Sequence, residues 1–244
     1  YCRSGRRSKK AADLLADKGY HITELDKGYM GWTAAGNEVT KEVTDLFVTP
    51  MGTLVWLNCI KHGTLSICVG NQWIYIDPVT DKIPPTTDYS TRPKARLILL
   101  THEHADHVRG VGRTAEAMRL PVYATKKVYE AMFQRKYVTR PVPEALRRFL
   151  EVGKPISIAP FTITPIQVPH DSADNVGYFI DCGDGTRLLL LTDVGEFQPE
   201  MEAFVPQATH IVIETNYDPD MLRTGKYPAR LKRRIASGTG HSAN

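Results

Sequence analysis

The sequence predicts an α/β protein built on an antiparallel or mixed sheet. From Leu46 onward, short apolar segments alternate with tight turns, which is the pattern of closely spaced strands. Helix-forming segments follow between the later strands. Three of the strands run directly into histidine or aspartate side chains, so we expect those polar residues to converge in the folded chain.

The composition is ordinary for a soluble globular protein. Of the 244 residues, 42% are hydrophobic and 24% are charged. No apolar run approaches the roughly 20 residues that span a bilayer. The chain opens on a polar, basic segment rather than a signal peptide, so we expect a cytoplasmic protein without a membrane partner. A net charge of +4 permits an anionic substrate, and the oligomeric state stays open.

The four cysteines are scattered and form no Cys-x-x-Cys pair, so neither a disulfide framework nor a thiolate zinc site is indicated. Cys2 lies in a short loop that contains glycine and arginines and leads into a predicted helix. A cysteine in that setting has a lowered pKa. Residues 1–36 resemble the C-terminal half of a rhodanese domain, in which Cys2 matches the persulfide-carrying nucleophile. The strands that should precede Cys2 are absent, so we expect no sulfurtransferase activity.

We divide the chain into the rhodanese-like fragment 1–36, a polar linker 37–45 and a main domain 46–244. Because the chain lacks an initiator methionine, we expect a fragment or a processed protein. Predicted strands cover residues 46–49, 53–60, 65–69, 73–76, 97–100, 120–124, 155–159, 161–168, 176–181, 187–191 and 208–215. Predicted helices cover residues 108–118, 125–133, 143–150 and 217–234, with Pro228 at a helix start.

The segment 97–107 joins a buried strand to a dense group of metal-ligand side chains. Four apolar residues precede three histidines and two carboxylates. Imidazole and carboxylate groups at the end of a core strand need a partner, because unpaired polar groups are costly there. His102 and His104 alternate, so both rings leave one face of an extended chain, and Asp106 and His107 follow at the turn. This set of donors favours zinc, iron or manganese over calcium.

Two later strands end in the same way. Residues 163–168 lead into His170, and residues 188–191 lead into Asp193. The repeated arrangement indicates that these side chains join the histidines of segment 97–107. Asp77 follows the strand 73–76, and we expect it to orient a ligand rather than to bind the metal.

The motif Thr101-His-Glu-His-Ala-Asp-His107 resembles the HxHxDH signature of the metallo-β-lactamase superfamily, with His170 and Asp193 at the later motifs. The resemblance covers residues 46–244 and implies a four-layer αββα sandwich with the metals at one edge. It also implies six metal ligands. The first ion would be held by His102, His104 and His170, and the second by Asp106 and His107. Asp193 would bridge both ions.

The implied cofactor is one or two zinc ions, with manganese or iron as alternatives. A bound metal lowers the pKa of its water to about 7, so hydroxide is available at neutral pH. In the implied mechanism, Asp106 orients that hydroxide.

The later part of the chain resembles the YycJ (WalJ) subfamily. The resemblance rests on residues 170–178, 192–195, 214–222, 225–235 and 240–244. That subfamily is similar to the nuclease branch that includes ribonuclease Z, and it is associated with phosphodiester cleavage, including exonuclease action on DNA. By this resemblance Glu214 holds His241, which protonates the leaving oxygen as general acid. The basic residues between 226 and 234 are expected to neutralise the phosphates of a nucleic-acid substrate.

Two features depart from that subfamily. Residues 45–95 look more like another metallo-hydrolase branch, with Lys61-His-Gly63 and Tyr75-Ile-Asp-Pro78. The family also continues to a further metal-ligand histidine, so we expect the second metal site to lack one ligand. Three alternatives stay open: a glyoxalase II-like thioesterase, a persulfide dioxygenase with one iron, and an inactive truncated fragment. The choice among DNA, RNA and a small molecule stays open as well.

Overall fold

The structure is a computed structural model that describes residues 45–48, 55–61, 64–69, 72–80, 89 and 92–243. The rhodanese-like interpretation of residues 1–36, including the role of Cys2, lies outside the described residues. The division of the chain at residues 37–45 stays a prediction.

Within the described residues the chain forms twelve strands and six α-helices. The first sheet contains β1 (Asp45–Val48), β2 (Val55–Lys61), β3 (Thr64–Val69), β4 (Gln72–Ile76), β5 (Ala95–Leu99), β6 (Val122–Thr125) and β7 (Arg147–Leu150). The second contains β8 (Ile156–Ile158), β9 (Phe161–Gln167), β10 (Val176–Asp181), β11 (Arg187–Leu191) and β12 (His210–Ile213). The helices are α1 (Ala105–Val108), α2 (Val111–Met118), α3 (Lys126–Gln134), α4 (Pro199–Glu202), α5 (Pro219–Thr224) and α6 (Ala229–Ile235).

Both sheets are mixed, as the sequence predicts. The strands of the first sheet follow chain order from β1 to β7, antiparallel up to β4 and parallel from β4 to β7. The second sheet has the order β12-β11-β10-β9-β8, and only β11 and β12 run parallel.

The main core lies between the two sheets. Alternate residues of β4 and β5 face this core, including Ile76, Leu97 and Leu99, which are fully buried. Tyr178 and Leu190 of the second sheet pack into the same cluster. Tyr75 of β4 and Ile98 of β5 point to the other face of the sheet and are also buried, because that face is covered.

Helices cover the outer face of each sheet. Val111 of α2 and Met132 of α3 pack in one cluster with Ile98 of β5. On the second sheet, Met201 of α4 packs with Leu189 and other residues of that sheet. The layers are therefore helix, sheet, sheet and helix, and the predicted αββα sandwich is confirmed.

The predicted helix over residues 143–150 is wrong. A short 3-10 turn at Glu144–Leu146 leads into β7, which pairs with β6 in parallel. Leu150 turns into the core between the sheets, whereas Phe149 is exposed, so this segment has the alternation of a strand. Pairing with β6 outweighs the local helix preference.

The other predicted helices differ in their bounds. Helix 108–118 is interrupted at Gly110, whose φ of +84° favours glycine. A Cβ there would lie 1.7 Å from Thr80 Oγ1, so the close approach also requires glycine. The segment 217–234 forms α5 and α6 rather than one helix, and Asp218 begins α5 by accepting a hydrogen bond from the backbone N–H of Met221 at 2.9 Å.

Candidate metal centre

The predicted ligands lie where β5, β9 and β11 end. β9 and β11 both run antiparallel to β10 between them, so their carboxyl ends share one edge of the second sheet. The backbone N–H of Val176 donates to the carbonyl of Thr101 at 3.1 Å, which joins this edge to the loop after β5. Apolar strands from both sheets therefore deliver polar side chains to one place.

Among the residues that the structure describes, three groups of potential ligand atoms form at this edge, and within each group the atoms lie within 4.8 Å of one another. They are His102, His104 and His170; His102, His107 and Asp193; and His170, Asp193 and His241. The structure thus brings together five of the six predicted metal ligands. It adds His241, which the sequence assigns to acid catalysis.

Asp106 is the predicted ligand that lies outside these groups. Its side chain is 62% exposed, and its Oδ2 lies 3.9 Å from His107 Nε2. Its roles as a metal ligand and as the group that orients hydroxide stay predictions.

Asp77 organises the histidines of the loop after β5. Its buried carboxylate accepts hydrogen bonds from the backbone N–H of Thr101 at 2.8 Å and from the Thr101 hydroxyl at 2.6 Å. Its Oδ2 also lies 2.8 Å from His107 Nδ1, and Thr101 Oγ1 lies 3.0 Å from His102 Nδ1. With Nδ1 engaged in both rings, Nε2 is the atom left for a metal. Asp77 therefore lies where an orienting residue is needed.

His170 is fixed in the same way from the far end of the chain. Its Nδ1 lies 2.9 Å from the carbonyl oxygen of Gly240, to which it can donate. Burial lowers the pKa of His170, so the ring is neutral and keeps a lone pair at neutral pH.

His102 shows most directly that a cation fits here. The residue is completely buried, and its Nε2 has no hydrogen-bond partner among the described residues. Burial and the neighbouring His107 hold the pKa of His102 well below its usual range. The ring is therefore neutral, and its Nε2 carries a lone pair rather than a proton. A buried lone pair surrounded by imidazoles and a carboxylate suits zinc, manganese or iron.

Asp193 and His107 form a close pair beside that lone pair. Asp193 Oδ2 lies 2.9 Å from His107 Nε2. Burial by itself raises the pKa of Asp193, but the hydrogen bond and charge of His107 outweigh burial and hold that pKa below its usual range. Burial likewise opposes charge on His107, yet Asp193 and Asp77 raise its pKa well above the usual value. His107 therefore lies between the carboxyl groups of Asp77 and Asp193, and both favour its charged form.

Asp77 and Asp193 share an uncommon backbone conformation. Their φ angles are +48° and +49°, in the left-handed region that aspartate tolerates better than most residues. Both follow an apolar strand, so the turn carries the chain out of the sheet while the carboxylate stays at the edge. Such strain is concentrated at functional sites.

The predicted pair of Glu214 and His241 is brought together. His241 Nδ1 lies 2.8 Å from Glu214 Oε1, and this hydrogen bond raises the pKa of His241. His241 Nδ1 also lies 3.4 Å from Asp193 Oδ1, so the ring adjoins one of the predicted metal ligands as well. The geometry is compatible with two roles, proton donor and metal ligand.

Close backbone packing holds His241 in position. The backbone N–H of His241 donates to the carbonyl of Ile235 at 2.9 Å, and the Ser242 hydroxyl donates to the carbonyl of Val194 at 2.7 Å. A Cβ on Gly195 would lie 2.3 Å from the carbonyl oxygen of Gly238, so only glycine allows this approach.

A cavity of about 370 Å³ adjoins the centre on the side of His107 and Asp193. One part of its lining is polar and the other is apolar. The polar residues are Asp106, His107, Thr192, Asp193, Glu214 and Asn216, and the apolar ones are Leu65, Leu191, Val212 and Ile213. This shape leaves room for a substrate beside the ligands.

Sequence reasoning missed Asp171. Its Oδ1 lies 3.4 Å from His170 Nε2, and both of its oxygens accept hydrogen bonds from the guanidinium of Arg234, the Nη2 contact being 2.9 Å. Arg234 lowers the pKa of Asp171 and outweighs the effect of burial. The only signal near Asp171 in the sequence was its position directly after the predicted ligand His170. Its partner Arg234 lies 63 residues away, so the local sequence did not indicate their contact.

Among the described residues, none of the helices is long and apolar enough to cross a membrane.

The comparisons with known proteins agree with this geometry. Residues 72–243 match the family described as "Beta-lactamase superfamily domain". The chain is 35% identical over 147 residues to Exodeoxyribonuclease YycJ of Bacillus anthracis, across 60% of this chain and 54% of that protein. It is 37% identical over 147 residues to Exodeoxyribonuclease WalJ of Streptococcus pneumoniae serotype 2 (strain D39 / NCTC 7466), with the same shares of both chains. The chain thus spans about half the length of these curated relatives.

A solved structure shares the fold. Zinc-bound PqqB from Methylobacterium extorquens superposes with a TM-score of 0.58 at 15% identity, across 87% of this chain and 73% of that one. The family match runs from β4 to the segment after α6, covers well over half of the chain and includes every grouped ligand. On this evidence, the chain belongs to the beta-lactamase superfamily.

Proposed function

We propose that this chain is a metal-dependent hydrolase that cleaves phosphodiester bonds in nucleic acid. The observation that carries the proposal is the hydrogen-bonded pair of Glu214 and His241 beside the grouped ligands, because it supplies a proton donor for a leaving oxygen. The names of the two exodeoxyribonuclease relatives support a nucleic-acid substrate.

In this proposal the ligands have separate tasks. His102, His104 and His170 would hold a first ion, and His107 with Asp193 would hold a second, with Asp106 as a further candidate. Zinc is the expected metal, with manganese or iron as alternatives. Bound divalent ions supply an activated water and neutralise charge on the phosphoryl oxygens.

The proton is delivered by the chain itself. Glu214 holds His241 through Nδ1 and raises its pKa, so the ring is more readily protonated at neutral pH. Nε2 is then the atom that gives its proton to the departing oxygen. A nucleoside alkoxide is a poor leaving group, so this transfer lowers the barrier for nucleic acid in particular.

Helix α6 and the residues before it offer a surface for the phosphates. Lys226, Arg230 and Arg233 are exposed, and Tyr227 between them is 58% exposed. Arg234 of the same helix bonds to Asp171 next to His170, which connects this basic surface to the centre. Exposed cations with an aromatic side chain suit a single strand, whose phosphates bind the cations while its bases stack.

The function is tested with end-labelled single-stranded DNA and zinc- or manganese-loaded chain. We expect cleavage that depends on the metal and stops with a chelator, together with turnover of bis-p-nitrophenyl phosphate. Hydrolysis of a glutathione thioester without DNA cleavage would instead establish a thioesterase. One iron per chain with oxygen uptake on glutathione persulfide would establish a dioxygenase, and no turnover of any substrate would favour the inactive fragment.

Loss of charge from the basic surface should weaken DNA binding in a salt-dependent way. For the double variant Arg230→Gln and Arg233→Gln, we expect the slope of log K against log salt to fall by about 0.7 for each phosphate that is no longer neutralised. Fluorescence anisotropy at several salt concentrations measures this slope. The control is Lys154→Gln, an exposed lysine paired with Glu151 in the segment between β7 and β8. Equal slopes in both variants would exclude this helix as the binding surface.

A further inference from the structure

Glu103 is a charged residue in the ligand loop that is not one of the grouped ligands. It lies between His102 and His104, so on the extended chain its side chain leaves from the face opposite to theirs. It is nevertheless completely buried. A buried carboxylate is retained only where charge and hydrogen bonds compensate it, so its partners should reveal its role.

The partners of Glu103 come from two other segments. Its Oε1 accepts a hydrogen bond from Arg135 Nη2 at 2.6 Å, just after α3. The backbone N–H of Ala173, in the loop after β9, points to both carboxylate oxygens at 3.1 Å. The Tyr137 hydroxyl donates to the backbone carbonyl of Glu103 at 2.7 Å. The residue is therefore held through its side chain and its backbone together.

These contacts join the two loops that carry the first ligand group. Glu103 adjoins both His102 and His104, and Ala173 is three residues after His170. The three histidine nitrogens must keep their mutual spacing for a metal to bind all of them. A displacement of one loop against the other would open the group, although every ligand would still be present.

We propose that Glu103, held by Arg135, is a positioning residue that fixes the loop of His102 and His104 against the loop of His170. The role rests on the metal centre but not on the nuclease reaction. Partners outside the ligand set typically affect metal affinity by about 10- to 100-fold when they are removed. We expect that range here, because one carboxylate orders both loops.

The first test uses Arg135→Ala, because the arginine side chain is 43% exposed and its truncation opens no cavity in the apolar core. Arg140→Ala is the matched control, since Arg140 Nη2 also lies 2.6 Å from a glutamate, Glu116 Oε2, away from the ligands. We expect the zinc dissociation constant, measured by chelator competition, to rise at least about tenfold in Arg135→Ala and to stay within about twofold in the control. The visible absorption bands of the Co²⁺-loaded chain should shift only in Arg135→Ala.

Two further variants separate positioning from general stability. Arg135→Lys keeps the charge but not the fork of donors, so it should restore affinity in part. Glu103→Gln keeps the shape but not the charge, and it should weaken zinc binding as Arg135→Ala does. If Glu103→Gln does not fold, the arginine variants decide the question.

The inference is overturned if Arg135→Ala binds zinc and Co²⁺ as the control does, even with a lowered melting temperature. It is also overturned, together with the metal centre, if the unaltered chain binds neither metal. Failure of the nuclease assay has no bearing on these readouts, so a chain that is inactive on DNA but loses zinc affinity in Arg135→Ala still supports the role of Glu103.

Discussion

Replacement of His241 by alanine should slow the cleavage of single-stranded DNA by about 100- to 10,000-fold, the range that general acid catalysis contributes. Cleavage of bis-p-nitrophenyl phosphate should change much less. A nucleoside alkoxide needs a proton as it departs, whereas p-nitrophenolate is stable without one. Turnover numbers on both substrates at saturating metal measure this difference.

The two substrates also distinguish the two roles that the geometry allows for His241. If the ring acts as a metal ligand with His170 and Asp193, both substrates lose activity equally and the chain binds less metal. Glu214→Gln serves as the companion variant, because it removes the charge that holds Nδ1 but leaves the histidine in place. A selective loss on DNA in both variants supports the acid role, and an equal loss on both substrates contradicts it.

Replacement of His102 by leucine should abolish stabilisation of the chain by zinc. This ring belongs to two of the three ligand groups. Loss of a residue that only orients a ligand typically reduces metal affinity by about 10- to 100-fold, so loss of the ring itself should reduce zinc affinity by more than about 100-fold. In the unaltered chain, zinc at 100 times its dissociation constant adds about 2.7 kcal/mol to the free energy of unfolding. Urea unfolding with and without zinc measures that increment.

The same variant should behave differently without metal. His102 Nε2 is buried and unpaired among the described residues, so an apolar side chain of similar size removes an unsatisfied atom. We therefore expect the metal-free variant to be at least as stable as the metal-free parent. His210→Leu is the control, because His210 lies on β12 outside the ligand groups and its loss should leave the zinc increment intact. A zinc increment that persists in the His102 variant would contradict the assigned centre.

The sequence was most informative where apolar strands meet polar ends. The strands before His102 and Asp193 end in four consecutive apolar residues, and the strand before His170 alternates apolar and polar residues, so a ligand at each strand end stands out locally. The four-layer arrangement followed from the same residues through their resemblance to a known family. Both inferences need only neighbours in the chain, and the structure places these side chains together.

Features that depend on distant partners were missed or wrong. The segment 143–150 has helix-forming residues, but its structure is decided by β6, to which it pairs. Glu103 meets Arg135 and Ala173 across 32 and 70 residues, so nothing next to it indicates a buried ion pair. For Asp106 the ligand role came from the resemblance to the HxHxDH signature; its side chain is 62% exposed, and the role stays a prediction.

The grouped side chains that meet at this edge come from positions as far apart as 102 and 241, and from loops of both sheets. Contacts between residues so far apart in the sequence form only after the intervening chain has lost most of its conformational entropy. We therefore expect the sandwich to assemble before the centre, so that a bound ion would act as a late cross-link between the sheets. Interactions absent from the folding transition state slow unfolding without accelerating folding, so the metal would prolong the lifetime of the fold rather than guide its formation.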